Sequence, residues 1–155
     1  MKGHDKIIEH LNARLAEELT AINQYMVHAE MCENWKYGRL SDVIEKRAIA
    51  EMKHAETLIE RILFLEGRPI VGTLNQINIG SEVPQMHAND LGAEHAAVRN
   101  YSASIRAAGE LVDDGTRKIL ESILRDEEDH VDWIEAQLDQ IKQTGVENYL
   151  AEQIY

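Results

Sequence analysis

Seventy-six residues separate Glu18 from Glu94, Glu51 from Glu127 and His54 from His130. The same offset pairs Leu15 with Leu91, Ile22 with Val98, Tyr25 with Tyr101, Leu58 with Ile134 and Ile62 with Leu138. An offset that carries apolar and polar positions together marks two copies of one supersecondary unit, related by a pseudo-two-fold. Around these positions apolar residues recur by threes and fours, the period of an amphipathic helix. The periodic segments are about 5–35, 40–65, 83–111 and 116–143. Gly38 breaks the first, and Gly67 with Pro69 beyond it closes the second. Ser81 is the expected N-cap of the third, with Pro84 tolerated in its first turn. "DDGT" at 113–116 reads as a turn, and after Gly145 the tail leaves room for a short helix about 146–153.

The connections between segments differ in kind. Two are tight, whereas the 16 residues 67–82 lose the helical period and hold three glycines and a proline. Extended, a stretch of that length reaches roughly 50 Å, and a helix of about 27 residues measures roughly 40 Å. The connector can therefore run the length of the bundle. The expected fold is all-α: one domain, 1–155, of two helical hairpins joined by a long crossover.

Within each hairpin the acid of the first helix precedes the acid of the second by 33 residues, with the turn near the middle of the interval. Acids at similar distances before and after a turn land at similar heights on facing helices. Glu18 continues the stripe Leu11, Leu15, Ile22, Tyr25, so it points inward. Glu51 and His54, like Glu127 and His130, stand three apart, on one face of a helix. Four carboxylates and two imidazoles thus converge halfway along the bundle. Buried carboxylates are very costly unless paired or coordinating a metal, and acids facing one another repel. No Lys or Arg occupies the matching stripe positions. Two divalent cations would balance four carboxylates, and mixed oxygen and nitrogen donors suit iron or manganese better than a thiolate zinc site.

Composition narrows the remaining choices. A net charge of −12, from 28 acids against 16 bases, argues against nucleic acid, whose binding rests on basic footprints. No stretch has the length and apolarity of a membrane span or a signal peptide. The single cysteine, Cys32, leaves no internal disulfide and no thiolate cluster, so a reducing cytoplasm is the expected compartment.

"ELTAINQY", "EMKHA", "IERILFLEG", "LRDEEDHVDWIE" and "ENYL" resemble the bacterioferritins, and the similarity spans the chain. The resemblance implies a ferritin-like four-helix bundle with a short C-terminal fifth helix, assembled as a hollow homo-oligomer of about 24 subunits. It implies iron storage and a ferroxidase activity that oxidises Fe(II) with oxygen or hydrogen peroxide at two non-haem iron ions per subunit. Carried over position by position, Glu18 and Glu94 become terminal ligands, Glu51 and Glu127 bridging ligands, and His54 and His130 nitrogen ligands, one to each iron. Met52 follows Glu51 by about 100° of helix rotation, so it faces away from the core. The resemblance makes it the axial ligand of a haem b shared between two subunits across a two-fold axis, and it implies a ferredoxin as electron donor. Lys46 and Ala50 depart from the histidine and aspartate that some members use for an extra inner-surface iron site. Tyr25 and Trp133 read as core aromatics within reach of the ligands. His4, His10, His28, His87, His95 and Cys32 read as surface or structural residues. The rival readings are another di-iron carboxylate oxidoreductase and a non-enzymatic helical assembly.

Overall fold

The computed structural model describes residues 1–155. It contains α1 (Asp5–Asn34), α2 (Gly38–Phe64), α3 (Val83–Glu110), α4 (Asp114–Thr144) and a short α5 (Val146–Ala151). α1 and α2 form one antiparallel hairpin and α3 and α4 the other. α3 also runs antiparallel to α1, since Tyr25 meets Glu94 while Tyr101 meets Glu18. The long crossover is what allows this up-down-down-up order. It climbs α1 on side-chain rungs: the amides of Ile70, Asn75, Asn78 and Gly80 donate to Asn12 Oδ1, Thr20 Oγ1, Gln24 Oε1 and His28 Nε2 at 2.8–3.0 Å.

Three helices end in the same way, and not on glycine. Lys36, Glu66 and Val112 have φ of 66°, 61° and 56°. Around each, the next amide reaches back to the carbonyl five residues earlier: Tyr37 to Cys32, Gly67 to Ile62, Asp113 to Ala108, at 2.8–2.9 Å. These are Schellman endings built on residues with a Cβ, which carry about 1–2 kcal/mol of strain apiece. The stops lie where expected, but the left-handed residue at each is not Gly38 or Gly67. Gly38 is the first residue of α2. Gly67 follows the left-handed position and packs tightly, since a Cβ there would stand 2.9 Å from Ile8 Cγ2. Ser81 is not the N-cap of α3; Glu82 holds that place and its side chain makes no capping bond. The "DDGT" turn does cap α4. Asp113 accepts from the Thr116 amide and hydroxyl at 3.0 and 2.6 Å and from Arg61 of α2 at 3.0 Å, which ties the two hairpins together.

The core is divided. One apolar cluster gathers Ile7, Leu11, Leu15, Leu58, Ile62, Tyr101 and Leu120; another gathers Tyr25, Ala29, Cys32, Leu40, Ile44, Met86 and Tyr149. α5 closes the second, with the Tyr149 hydroxyl donating to Gln137 Oε1 at 2.7 Å. The sequence positions of the inward acids fall between these clusters, so the bundle encloses a polar layer across its middle.

Candidate metal centre

Each helix of the bundle turns one glutamate into that layer. Glu18, Glu51, Glu94 and Glu127 are all at most 2% exposed, and His54 lies with them. His130 is half-buried beside them. The six form two overlapping sets, Glu18–Glu51–His54–Glu127 and Glu51–Glu94–Glu127–His130, with ligand atoms within 4.8 Å of one another in each. The shared members are Glu51 and Glu127. His54 Nδ1 lies 3.0 Å from Glu127 and 3.6 Å from both Glu18 and Glu51. His130 Nδ1 lies 3.2 Å from Glu51 and from Glu94.

Two tyrosines steady the outer acids. Tyr25 of α1 donates to Glu94 of α3 and Tyr101 of α3 donates to Glu18 of α1, both at 2.5 Å. The exchange follows the same pseudo-two-fold as the four glutamates and two histidines. Burial, then the carboxylates around them, pushes both phenols well above their usual range, so they stay donors.

The remaining donors are left open. Eight buried side-chain atoms in the chain lack a hydrogen-bond partner, and six are here: Glu18 Oε2, Glu51 Oε1, His54 Nδ1, Glu94 Oε2 and both oxygens of Glu127. Buried polar atoms are seldom unpaired, so this concentration points to a partner of opposite charge from outside the chain. Protons fill the gap in part. Burial, followed by the neighbouring acids, raises Glu51 well above the usual carboxylate range. Burial raises Glu94 to about 7. Burial pulls Glu127 the same way, but Glu94, His130 and His54 beside it hold it below its ordinary value. For the histidines burial alone would favour the neutral ring; the facing carboxylates outweigh it, lifting His54 to about 11 and His130 to about 9. Six donors sharing a few protons fit a pair of divalent cations, whose charge would replace those protons.

A cavity of about 470 Å³ opens between α1, α3 and the crossover, with Gln24, Asn75, Asn78 and Asn100 in its wall and Glu18, Glu51, Glu94 and Glu127 at its floor.

The Ferritin-like domain family matches residues 8–144. A bacterioferritin of Brucella melitensis biotype 1 is 39% identical over 149 residues, 96% of this chain and 92% of that protein. One from Rhodobacter capsulatus is 39% identical over the same shares, and one from Mycolicibacterium paratuberculosis 36% identical over 98% of this chain and 96% of its own length. The chain belongs to the bacterioferritins.

Among the other residues read from the sequence, Met52 lies on the outside of this bacterioferritin bundle, 45% exposed, with Ile49 exposed one turn before it. Lys46 is exposed and Ala50 half-buried, with no acid or imidazole between them. His28 and His87 are fully buried structural residues, as is Cys32. Trp133 is a ring contact for Arg47 and His87. No helix is long and apolar enough to cross a membrane.

Two sets of contacts beside the layer escape sequence reasoning. Asp126, one residue before Glu127, accepts from His54 Nε2 at 2.8 Å. Its only signal was adjacency to the Glu-x-x-His pair. Asp90, fully buried, is met by Gln24 Nε2 at 2.8 Å, His28 Nδ1 at 2.9 Å and Arg47 Nη1 at 3.5 Å. Gly80 donates to His28 Nε2 at 3.0 Å, so the ring proton sits on Nδ1 and points at Asp90. The 76-residue offset hints at this layer: it carries Asp90 back to Arg14 and His28 forward to Ser104, and Arg14 donates to Ser104 at 2.8 Å.

Proposed function

We propose that this chain is a ferroxidase subunit of an iron-storing shell, and that its two substrate Fe(II) ions bind among Glu18, Glu51, His54, Glu94, Glu127 and His130. Membership of the bacterioferritins supports iron storage. The observation that carries the finer reading is the set of six buried, unpartnered donor atoms in two sets sharing Glu51 and Glu127. Two Fe(II) bring four positive charges to four carboxylates, which neutralises the layer without any counter-charge from the protein.

The chain's own groups then have distinct tasks. Glu51 and Glu127 lie in both sets, so they bridge and fix the separation of the two ions. Glu18 and Glu94 close the two ends, each held by a tyrosine hydroxyl. His54 and His130 surrender a proton from Nδ1 and turn that lone pair inward. Each Fe(II) gives up one electron, and the pair together reduces one oxygen to hydrogen peroxide, or one hydrogen peroxide to two waters, with two protons taken up. The apolar clusters on either side of the layer lower the local dielectric, which strengthens charge interactions within it. Ferric product would leave for a mineral in the hollow of a homo-oligomer of about 24 subunits, in a cytoplasmic setting.

Met52 would hold a haem b shared between two subunits. Its thioether is exposed on α2 beside the exposed Ile49. Bound there, haem would supply a one-electron couple of raised potential. A ferredoxin is the expected donor to it.

Replacing Glu51 or Glu127 by alanine tests the centre. Fe(II) oxidation, followed by ferric absorbance in stopped flow, is expected to slow by at least about 100-fold, the upper end for loss of even an outer partner of a metal ligand. Full-speed oxidation by a folded variant would reject the site. For the haem, Met52→Leu is expected to lose the Soret band on reconstitution while retaining rapid iron oxidation; an unchanged band would remove Met52 from that role.

A further inference from the structure

The pseudo-two-fold superposes the six inward side chains but not what stands behind the histidines. His54 aims Nδ1 at the carboxylates and donates from Nε2 to Asp126 Oδ2, 2.8 Å away. Seventy-six residues before Asp126 stands Ala50, whose methyl accepts nothing. His130 turns Nδ1 inward to Glu51 and Glu94, yet its Nε2 makes no hydrogen bond to protein. The terminal acids do not share this inequality, since Glu18 and Glu94 each accept a tyrosine hydroxyl at 2.5 Å. The shared acids, Glu51 and Glu127, belong to both positions. The break in symmetry that a hydrogen bond marks lies behind the two imidazoles.

We propose that Asp126 is a positioning residue that makes the two metal positions unequal, so that the Glu18–Glu51–His54–Glu127 position fills first. This rests on the two-cation reading above. A carboxylate behind a ligating imidazole fixes the tautomer and the ring plane and makes the inner nitrogen a better donor; its loss typically costs about 10–100-fold in metal affinity. His54 is preset in this way. His130 is not: its ring can put either nitrogen inward, and it loses that freedom when it ligates. Asp126 does not touch the metal position, because it lies behind the ring with its side chain 53% exposed. That exposure also means its removal leaves no hole in the core.

The test is a Co(II) titration of the metal-free full-length protein, read by calorimetry and by the visible ligand-field bands. The unaltered protein is expected to take two Co(II) per chain in two steps, separated at least about 10-fold in affinity. Asp126→Ala is expected to weaken the first step by about 10–100-fold and merge it with the second. Ala50→Asp is expected to do the reverse, tightening the second step until the two merge. A merely structural aspartate would weaken both steps together, and Ala50→Asp would change neither. Two equal steps in the unaltered protein, or variants that leave the separation intact, would overturn the inference while sparing the centre. Fewer than two Co(II) per chain in the unaltered protein would overturn the centre itself.

Discussion

Two buried acidic clusters share this bundle, and the chain treats them in opposite ways. Around Asp90 it supplies every counter-group: an amide from Gln24, a ring N–H from His28 and a guanidinium from Arg47, itself laid over the rings of Tyr25 and Trp133 at 5.2 and 4.9 Å. Around Glu18, Glu51, Glu94 and Glu127 it supplies two phenols and two imidazoles and no guanidinium or ammonium, and six atoms stay without partners. Tyr25 touches both clusters, with its hydroxyl on Glu94 and its ring under Arg47. Similar burial and the same helices give one acid a full set of protein partners and leave four others with atoms the protein does not pair. A buried acid is read by its partners, not by its depth.

The contrast can be broken most forcefully by exchanging the two kinds of loss. Asp90→Ala leaves Arg47 and His28 buried without their carboxyl, and is expected to cost about 3–5 kcal/mol in chemical denaturation. Glu51→Gln removes one of four crowded acids and is expected to raise the melting temperature of the metal-free protein. Comparable losses from both would mean that the glutamate layer is already satisfied by the protein.

Cations sharpen the same contrast. A divalent ion at about 100 times its dissociation constant should stabilise the protein by about 2.7 kcal/mol, in the unaltered chain but not in Glu51→Gln. The pH dependence has a definite sign. Glu51, Glu94, His54 and His130 all hold protons more tightly in the fold than in the open chain. Their contribution to metal-free stability is therefore whole at low pH. It falls as pH rises from 4.5 through about 7 for Glu94, and from 6.5 through about 9 and about 11 for His130 and His54. Thermal melts at increasing pH should show the metal-free protein weakening while the gain on adding metal grows, because the ions displace those protons. A gain independent of pH would place the ions elsewhere.

The smallest effects belong to the tyrosines. Tyr25→Phe and Tyr101→Phe each remove one bond to a terminal acid, worth about 1.5 kcal/mol at the low end for a charged acceptor. By the pseudo-two-fold the two losses should match in metal-free melts. Each ring also lies under a guanidinium, Arg47 at 5.2 Å from Tyr25 and Arg14 at 6.0 Å from Tyr101. Tyr25→Phe costing much more than Tyr101→Phe would show that the closer Arg47 contact carries part of the load.

The buried polar layer was legible because identical acids and imidazoles recur at a fixed offset on two helical hairpins, and acids on an apolar stripe are seldom tolerated without a counter-charge. The helices and the crossover were legible for the related reason that period and connector length bound the topology. What escaped was set by tertiary contact. Asp90 and Arg47 meet from different hairpins, and the 76-residue offset pairs Asp90 with Arg14, a different residue type, so the repeat only hints at their contact. Thr20, Gln24 and His28 read as ordinary polar positions of α1 until the crossover amides dock on them. The helix ends fell within a residue or two of their expected places, but the residues that turn left-handed were missed: the Schellman pattern imposed that turn on Lys36, Glu66 and Val112, whereas composition alone points to the nearby glycines.

The most direct measurement is an anomalous difference map at the iron edge from crystals soaked anaerobically in Fe(II). Two peaks are expected in the mid-bundle layer, one flanked by Glu18, Glu51, His54 and Glu127, the other by Glu51, Glu94, Glu127 and His130. Peaks confined to surface acids, with that layer empty, would contradict the claim that these side chains are held open for a pair of cations.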